Sequence, residues 1–305
     1  MNGQAPSLGR LLTAMVTPFD TNGEVDLAEA ARLAAWLVHG GSDGIVVCGT
    51  TGESPALSDD ERVALFGAVK NGLGPRATVV ANTGSNNTKS SVRLTQRAQQ
   101  TGVDGILAVV PYYNKPTQDG MLRHFGTIAE ATQLPIIIYN IPGRTGANML
   151  PVTLLELADR YPNIVGVKES SGDFAQFSAI LGKRRAGFGF WSGDDHLFLP
   201  SLAVGADGVI SVAAHVCGPE LREMMEAHFN GDVARAAEIH LQLSELFAAL
   251  FATTSPIPVK WAMRQLGFAV GECRSPLGIM PETLERTLRP LIARYRERAA
   301  AVAAS

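Results

Sequence analysis

The feature that most constrains this chain is an alternation, repeated eight times, of a short β-branched run with an amphipathic stretch of helical period. Leu11–Val16 reads as the first strand. Asp26 followed by Glu29 starts a helix in capping-box fashion, with apolar positions at Leu27, Ala30, Ala34 and Leu37. Gly44–Cys48 is the second strand; Ser58 with Glu61 caps the next helix, and Gly72 is expected to close it. Further strands are predicted over Ala77–Ala81, Gly105–Val110, Pro135–Tyr139, Ile164–Lys168, Phe188–Trp191 and Gly208–Ser211. The intervening helices run to Gln100 (stopped by Gly102), near Gly120–Thr132, near Thr153–Arg160, near Asp173–Leu181 and to Gly205. The helix after the eighth strand carries Pro219 in its first turn, where a missing N–H costs nothing. Eight such units in about 230 residues predict an α/β fold, a (β/α)8 TIM barrel. A doubly wound sheet needs a glycine fingerprint after its first strand, and Met15–Asp20 has none. Gly187–Gly193 resembles such a fingerprint but lies within a strand, so its glycines read as packing or loop residues.

Residues beyond the barrel read as helices near Val233–Phe251, Pro258–Leu266 and Glu282–Ala300, broken at Pro256, Pro258 and Pro281. The expected organisation is a catalytic barrel over 1–230 and a C-terminal helical appendage over 231–305 that covers the barrel or joins subunits. With 46% hydrophobic and 18% charged residues the chain has ample material for a core, which excludes disorder. A formal charge of −3 lacks the basic footprint that nucleic acid demands. Cys48, Cys217 and Cys273 show neither CxxC spacing nor an even framework, which fits a reducing compartment without structural disulfide or zinc. The amino terminus has no apolar secretory segment, and Leu246–Ala252 falls well short of the roughly 20 residues that cross a bilayer. A cytoplasmic protein with no membrane partner is expected.

Barrel active sites lie at the carboxyl ends of the strands, which narrows the candidates to Thr50, Thr51, Tyr112, Tyr113, Tyr139, Arg144, Lys168, Gly193 and Ile210. Lys168 is the most informative. Lys70, Lys89, Lys115, Lys183 and Lys260 fall in helical or loop contexts where a solvated charge is easy. Lys168 instead follows Ile164-Val165-Gly166-Val167, a run that belongs in a barrel wall, where burial should lower an ammonium pKa. At pH 7 a lysine of ordinary pKa is neutral in about one molecule in 2,500, and a pKa near 7–8 raises that fraction several-hundred-fold, as an amine nucleophile needs. The competing reading is an ion pair with Glu169.

Tyr139 ends the neighbouring strand and can exchange protons with Lys168, or be a rim aromatic. Gly49-Thr50-Thr51-Gly52-Glu53-Ser54 offers clustered N–H and O–H donors for a carboxylate, or is an ordinary turn. Arg144 offers a bidentate fork for a second carboxylate, or is a solvated loop arginine. Asp194-Asp195-His196 lacks a converging second histidine cluster and reads as a helix cap rather than a metal site. Ser211 and His215 lack a nucleophile-elbow context.

The motifs GTTGES at 49–54, PYYNKP at 111–116, YNIPGRTG at 139–146, VKESSGD at 167–173 and SGDD at 192–195 resemble, in order, the class I aldolase superfamily of N-acetylneuraminate lyase and dihydrodipicolinate synthase. The resemblance spans nearly the whole chain, including SPIPVKW at 255–261, and the arginine of YNIPGRTG is similar to the synthase branch. It implies a lyase in which Lys168 forms a Schiff base with pyruvate and Tyr139 donates and accepts protons. It further implies a relay through Thr50 or Thr51 and a Tyr113 that enters from a neighbouring subunit, hence a homotetramer or dimer. Thr51, Gly193 and Ile210 match positions at the pyruvate site, and Arg144 matches the residue that holds the carboxylate of L-aspartate semialdehyde. The implied product is 4-hydroxy-tetrahydrodipicolinate, of diaminopimelate and lysine biosynthesis. No metal or organic cofactor is implied, because the protonated imine is the electron sink. Gly143 in place of a frequent serine, and Ser170-Ser171 in place of a common Ala-Thr pair, leave room for an aldehyde from a sugar acid or hydroxy-oxo acid. A non-catalytic binding protein on the same barrel is disfavoured by the presence of both Lys168 and Tyr139. In lysine-inhibited synthases a histidine and a glutamate help hold the ligand between subunits. The matching positions here are Arg62 and Ser90, with Asn86 and Tyr112 retained, so the resemblance implies weak or absent inhibition.

Overall fold

The structure, a computed structural model, describes residues 8–296. Eight parallel strands close a barrel in sequence order: β1 Leu11–Ala14, β2 Gly44–Val47, β3 Thr78–Asn82, β4 Gly105–Val109, β5 Ile136–Asn140, β6 Ile164–Glu169, β7 Gly189–Ser192 and β8 Gly208–Ser211. Around them run helices α1 Leu27–His39, α2 Asp59–Leu73, α3 Thr88–Gln99, α4 Gln118–Glu130, the single turn α5 Pro142–Thr145, α6 Pro151–Arg160, α7 Phe174–Leu181, α8 Phe198–Ala203 and α9 Ala214–Phe229. Helices α10 Val233–Leu250, α11 Ile257–Gln265 and α12 Glu282–Ala293 follow. The TIM-barrel expectation holds. Of the 231–305 segment, the Ala-rich tail and the expected continuation of the last helix to Ala300 lie outside the described residues.

The helix starts follow the sequence closely, because their caps are local chemistry. Asp26 accepts the Glu29 N–H, Asp173 accepts from Ala175 and Gln176, and Ser58 with Glu61 forms a complete capping box. Gly72 does not close α2. It lies inside the helix against Ala31 of α1, where a Cβ would come within 3.0 Å of the alanine methyl, and Gly74 at φ 56 ends the helix instead. A glycine that lets two helices approach carries the same sequence signal as one that stops a helix. In α9 the backbone breaks helical geometry at Cys217, so Pro219 opens the second piece and removes no interior hydrogen bond.

Alternation along the strands divides the core in two. Leu12, Ala14, Val46, Val80, Leu107, Ile137, Trp191 and Ile210 point into the barrel, where Leu8 also packs. Leu11, Ile45, Val47, Val79, Ile106, Ile136, Ile138 and Val209 point outward into a larger shell that continues through the helices to Leu288 and Ile292 of α12. Each fully buried aliphatic side chain contributes about 1.5–3 kcal/mol.

The amino-terminal end of the barrel is locked by an Asp-Gly pair repeated before β2, β4 and β8. Asp43, Asp104 and Asp207 each donate their N–H to the carbonyl of Leu11, Val79 and Phe190, at 2.7, 2.8 and 2.9 Å. Each carboxylate accepts the N–H of that same residue on the preceding strand, at 2.9, 2.8 and 2.8 Å. Each also pairs with a cation from a helix or loop, namely Arg222, Lys70 and Arg184. Three strand junctions are thereby fixed by charge-assisted bonds.

Trp191 fills the barrel interior and donates its indole N–H to the Gly9 carbonyl at 3.0 Å. It fits because β6 presents Gly166: a Cβ there would lie 2.5 Å from both the Trp191 ring and the Gly189 carbonyl. Substituting Gly166→Ala is therefore expected to destabilise the fold by about 1–3 kcal/mol through overpacking against rigid backbone. A urea-unfolding midpoint unchanged within error contradicts this packing account.

Candidate active site

Lys168 owes its inward orientation to an irregularity in β6. The β5–β6 register pairs Ile136 with Ile164 but Ile137 with Gly166, which leaves Val165 as an extra residue in a bulge. Val165 packs toward the barrel interior whereas Val167, of the same parity, packs into the outer shell. Without the bulge, strict alternation from Val165 would turn Lys168 outward. With it, Lys168 faces into the mouth directly beside Tyr139, its register partner on β5. Lys168 is only 5% exposed, and its Nζ lies 4.2 Å from the centroid of the Tyr139 ring.

The remaining predicted residues arrange around this pair. A Cβ at Gly193, just after β7, would lie 2.9 Å from Lys168 Cε and 3.2 Å from its Cγ, so the bare backbone there makes room for the lysine stem. Ile210 shares the inner cluster with Tyr139. A cavity of about 220 Å³ opens at the mouth, lined by Thr50, Asn82, Tyr112, Tyr139, Ile141 and Arg144, among others. Arg144, on α5, is exposed and forms no ion pair with a described residue. Thr51 is buried next to Thr50. Tyr113 is not brought into this cavity: its side chain is 89% exposed, and its neighbour Tyr112 lines the wall instead.

The loops that carry these groups are strained. Among the described residues the non-glycine positions with positive φ are Cys48 and Glu53, flanking Thr50-Thr51, and Tyr113 and Lys115, in the loop after β4. Each costs about 1–2 kcal/mol, and such strain persists only where surrounding contacts over-determine it. Those contacts are visible. Asn82 Nδ2 donates to the Cys48 carbonyl at 2.7 Å, Thr17 Oγ1 to the Gly52 carbonyl at 2.7 Å, and the Glu53 N–H to the Thr50 carbonyl at 3.1 Å. The Tyr113 N–H donates to the Thr145 carbonyl at 3.2 Å.

Glu169 is not the partner of Lys168. It lies on the opposite face of β6, where it accepts from Asn140 Nδ2 at 3.0 Å, Gln176 Nε2 at 3.1 Å and the Ser171 N–H at 2.8 Å. Burial pushes its carboxyl above the usual range, and these donors oppose that shift. Asn140 and Glu169, the residues that follow Tyr139 and Lys168, are thus bound to each other behind the site, and Asn140 also accepts the Met149 N–H at 3.0 Å. Two more sequence expectations are corrected. Neither Asp194 nor Asp195 caps the helix that follows them: Asp194 accepts the His196 N–H, and the cap of α8 is Leu197. Asp195 is buried and instead accepts the N–H groups of Val212 and Ala213 and the Ser211 hydroxyl, which anchors the loop between β8 and α9. Lys260 is not a solvated helix lysine; it is 1% exposed and paired with Glu53 at 2.8 Å. His215 is fully buried, accepts the Val16 N–H at Nε2, and is pulled down to a pKa of about 4 by burial, so it is no base for Ser211.

No helix among the described residues is long and apolar enough to cross a membrane. The sequence profile of the Dihydrodipicolinate synthetase family matches residues 7–294. The chain is 53% identical over 288 residues to a 4-hydroxy-tetrahydrodipicolinate synthase of Symbiobacterium thermophilum, covering 94% of this chain and 98% of that one. It is 54% identical over 269 residues to one of Moorella thermoacetica, covering 88% and 92%. Among solved structures it is similar to DHDPS from Cyanidioschyzon merolae with lysine bound, at TM-score 0.93 and 45% identity over 94% of this chain and 99% of that one. It is also similar to the chloride-inhibited dihydrodipicolinate synthase from Acinetobacter baumannii complexed with pyruvate, at TM-score 0.89 and 34% identity over 96% and 99%. With its eight-stranded barrel and a profile match that runs nearly end to end, the chain belongs to the dihydrodipicolinate synthetase family.

Proposed function

We propose that this chain is a Schiff-base-forming lyase that condenses pyruvate with L-aspartate semialdehyde to give 4-hydroxy-tetrahydrodipicolinate, in diaminopimelate and lysine biosynthesis. The observation that carries the reading is the buried Lys168 amine, 4.2 Å from the Tyr139 ring, beside a cavity that ends at an arginine with no ion pair among the described residues. Neutral Lys168 attacks the ketone carbon of pyruvate; the carbinolamine loses water to give a protonated imine. That imine acidifies the adjacent methyl group, and loss of a proton gives an enamine. The enamine carbon adds to the aldehyde of the second substrate, whose oxygen takes up a proton. The amine of the adduct then attacks the imine carbon, closing the ring and releasing Lys168. The imine nitrogen receives the electron pair in the deprotonation step, so the cycle needs neither metal nor organic cofactor. Tyr139, Thr50 or Thr51, and Tyr113 move the protons. Thr51, Gly193 and Ile210 bound the pyruvate site, and Arg144 binds the carboxylate of the aldehyde.

The exposure of Tyr113 on a strained loop supports a homotetramer or dimer in which this phenol serves a neighbouring subunit. The cysteine pattern supports a cytoplasmic setting.

Borohydride reduction in the presence of pyruvate is expected to inactivate the protein and leave a reduced pyruvyl group on Lys168, identified by peptide mass mapping. An adduct on another lysine, or none, contradicts the class I mechanism. Lys168→Ala is expected to lose nearly all turnover while remaining folded. For Tyr113→Phe the expected result is a kcat lower by about a hundredfold or more, with pyruvate binding changed much less. Equal losses in both would assign Tyr113 to binding, and full activity in a monomeric preparation would exclude a shared site.

Lysine is expected to inhibit weakly or not at all. Ser90 lacks a carboxylate for the ligand's ammonium group, and the buried Arg62 donates to the Asn82 carbonyl beside the cavity. Losing a charge-assisted bond of about 1.5–3 kcal/mol lowers affinity roughly ten- to a hundredfold. Initial rates titrated with lysine at subsaturating pyruvate check this; half-inhibition at submillimolar lysine contradicts it.

A further inference from the structure

Glu53 and Lys260 are among the most deeply buried charges of the described residues, at 2% and 1% exposure. They are separated by 207 positions, and they join α11 to the loop after β2. Lys260 Nζ donates to Glu53 Oε1 at 2.8 Å and to the Glu272 carbonyl at 2.9 Å, and lies 4.2 Å from the centroid of the Phe19 ring. The second carboxylate oxygen, Glu53 Oε2, accepts the Arg274 N–H at 2.8 Å. The Arg274 side chain continues the clasp, donating to the Ala56 carbonyl at 2.9 Å and to Glu61 Oε1 at 2.6 Å. One stretch of the C-terminal region thus grips the Thr50-Thr51 loop and the start of α2 from behind.

A buried pair can serve stability alone, but three features tie this one to the loop's shape. Glu53 is held at φ 56, in the left-handed region that an unrestrained glutamate avoids. Its own N–H closes the turn onto the Thr50 carbonyl. Cys48, two residues before Thr50, is left-handed as well, so the loop carries strain on both sides of its two threonines. Releasing the Glu53 side chain frees the residue that closes this turn to return to an extended backbone, which opens the turn and displaces both hydroxyls.

We infer that Glu53 and Lys260 are positioning residues: their contact ties the C-terminal helices to the loop after β2 and holds Thr50 and Thr51 in the geometry that the proposed reaction uses. The inference rests on that reaction, since it requires the threonines to act. It gives α11 a role inside its own subunit, distinct from any joining of subunits.

The test is Glu53→Gln with Lys260→Met, which removes both charges and avoids leaving either one buried alone. Leu288→Ala in α12 serves as a control that weakens the same helical region without touching the loop. Folding is checked by circular dichroism and thermal unfolding, and all rates are taken well below the lowest unfolding midpoint. The double variant is expected to be folded, with kcat at saturating pyruvate lowered at least tenfold. The rate of borohydride-trapped adduct formation on Lys168 is expected to fall in parallel, as angstrom-scale misplacement of catalytic groups produces. Leu288→Ala is expected to keep both rates within twofold. A folded double variant with both rates within twofold of the unaltered protein overturns the inference, as does an equal loss in Leu288→Ala. If the double variant does not accumulate in folded form, Glu53→Asp alone, which keeps both charges but shortens the side chain that reaches Lys260, carries the same readouts. Absence of any adduct in the unaltered protein would instead fail the proposed reaction itself.

Discussion

An amine set against an aromatic face at the inner wall of a barrel is the constraint on which this site depends. Lysine avoids such a place because water solvates its ammonium so well. Here the chain places it there by inserting one residue, Val165, into β6, which reverses the side-chain alternation over the last turn of pleat. Gly166 beside the bulge and Gly193 just after the next strand lack side chains, which leaves the space that Trp191 and the lysine stem occupy. Tyr139 then lies directly across the ladder. The bulge, the space left at Gly193 and the Tyr139 ring across the ladder together set the lysine in place, while Gly166 serves the packing of Trp191 beside it.

The two ends of the barrel are built to different rules. At the amino-terminal end, Asp43, Asp104 and Asp207 stitch neighbouring strands with repeated bidirectional bonds and close ion pairs, an arrangement that favours stability. The carboxyl end holds the positive-φ non-glycine residues of the described chain, an exposed tyrosine and an arginine without a charged partner among the described residues. That contrast, stability at the bottom and strain at the mouth, is the division expected of a barrel enzyme. The strain is not free-standing: contacts from the loop after β1, from β3 and from the C-terminal region brace the loop after β2.

Much of this was legible in the sequence because it is written locally. Strand runs, the Ser58–Glu61 capping box and the positions that end strands follow from spacing of a few residues, so Lys168, Tyr139, Thr50 and Arg144 could be singled out before any coordinates. What escaped was non-local or ambiguous in period. A one-residue bulge leaves no trace in a run such as Ile164-Val165-Gly166-Val167, whose members are all apolar or glycine. Lys260 sits in a helix with ordinary spacing, and only folding reveals that its partner lies 207 residues away. Asp195 resembles a local cap, yet it serves a loop on the next strand. Glu169 follows Lys168 in sequence, which suggested an ion pair; strand alternation sends the two side chains to opposite faces. The Asp-Gly repeat was present in plain view, but its meaning depends on which strand lies alongside.

The account stands or falls on which aldehyde the enamine accepts. The direct measurement is a substrate panel with purified protein: pyruvate consumption and cyclic product formation with L-aspartate semialdehyde, set against retro-aldol release of pyruvate from sialic and keto-deoxy sugar acids. The account predicts turnover with pyruvate and L-aspartate semialdehyde at a kcat/KM at least a hundredfold above any sugar-acid substrate. Pyruvate release from a sugar acid at equal or greater efficiency, with no product from the semialdehyde, would contradict it.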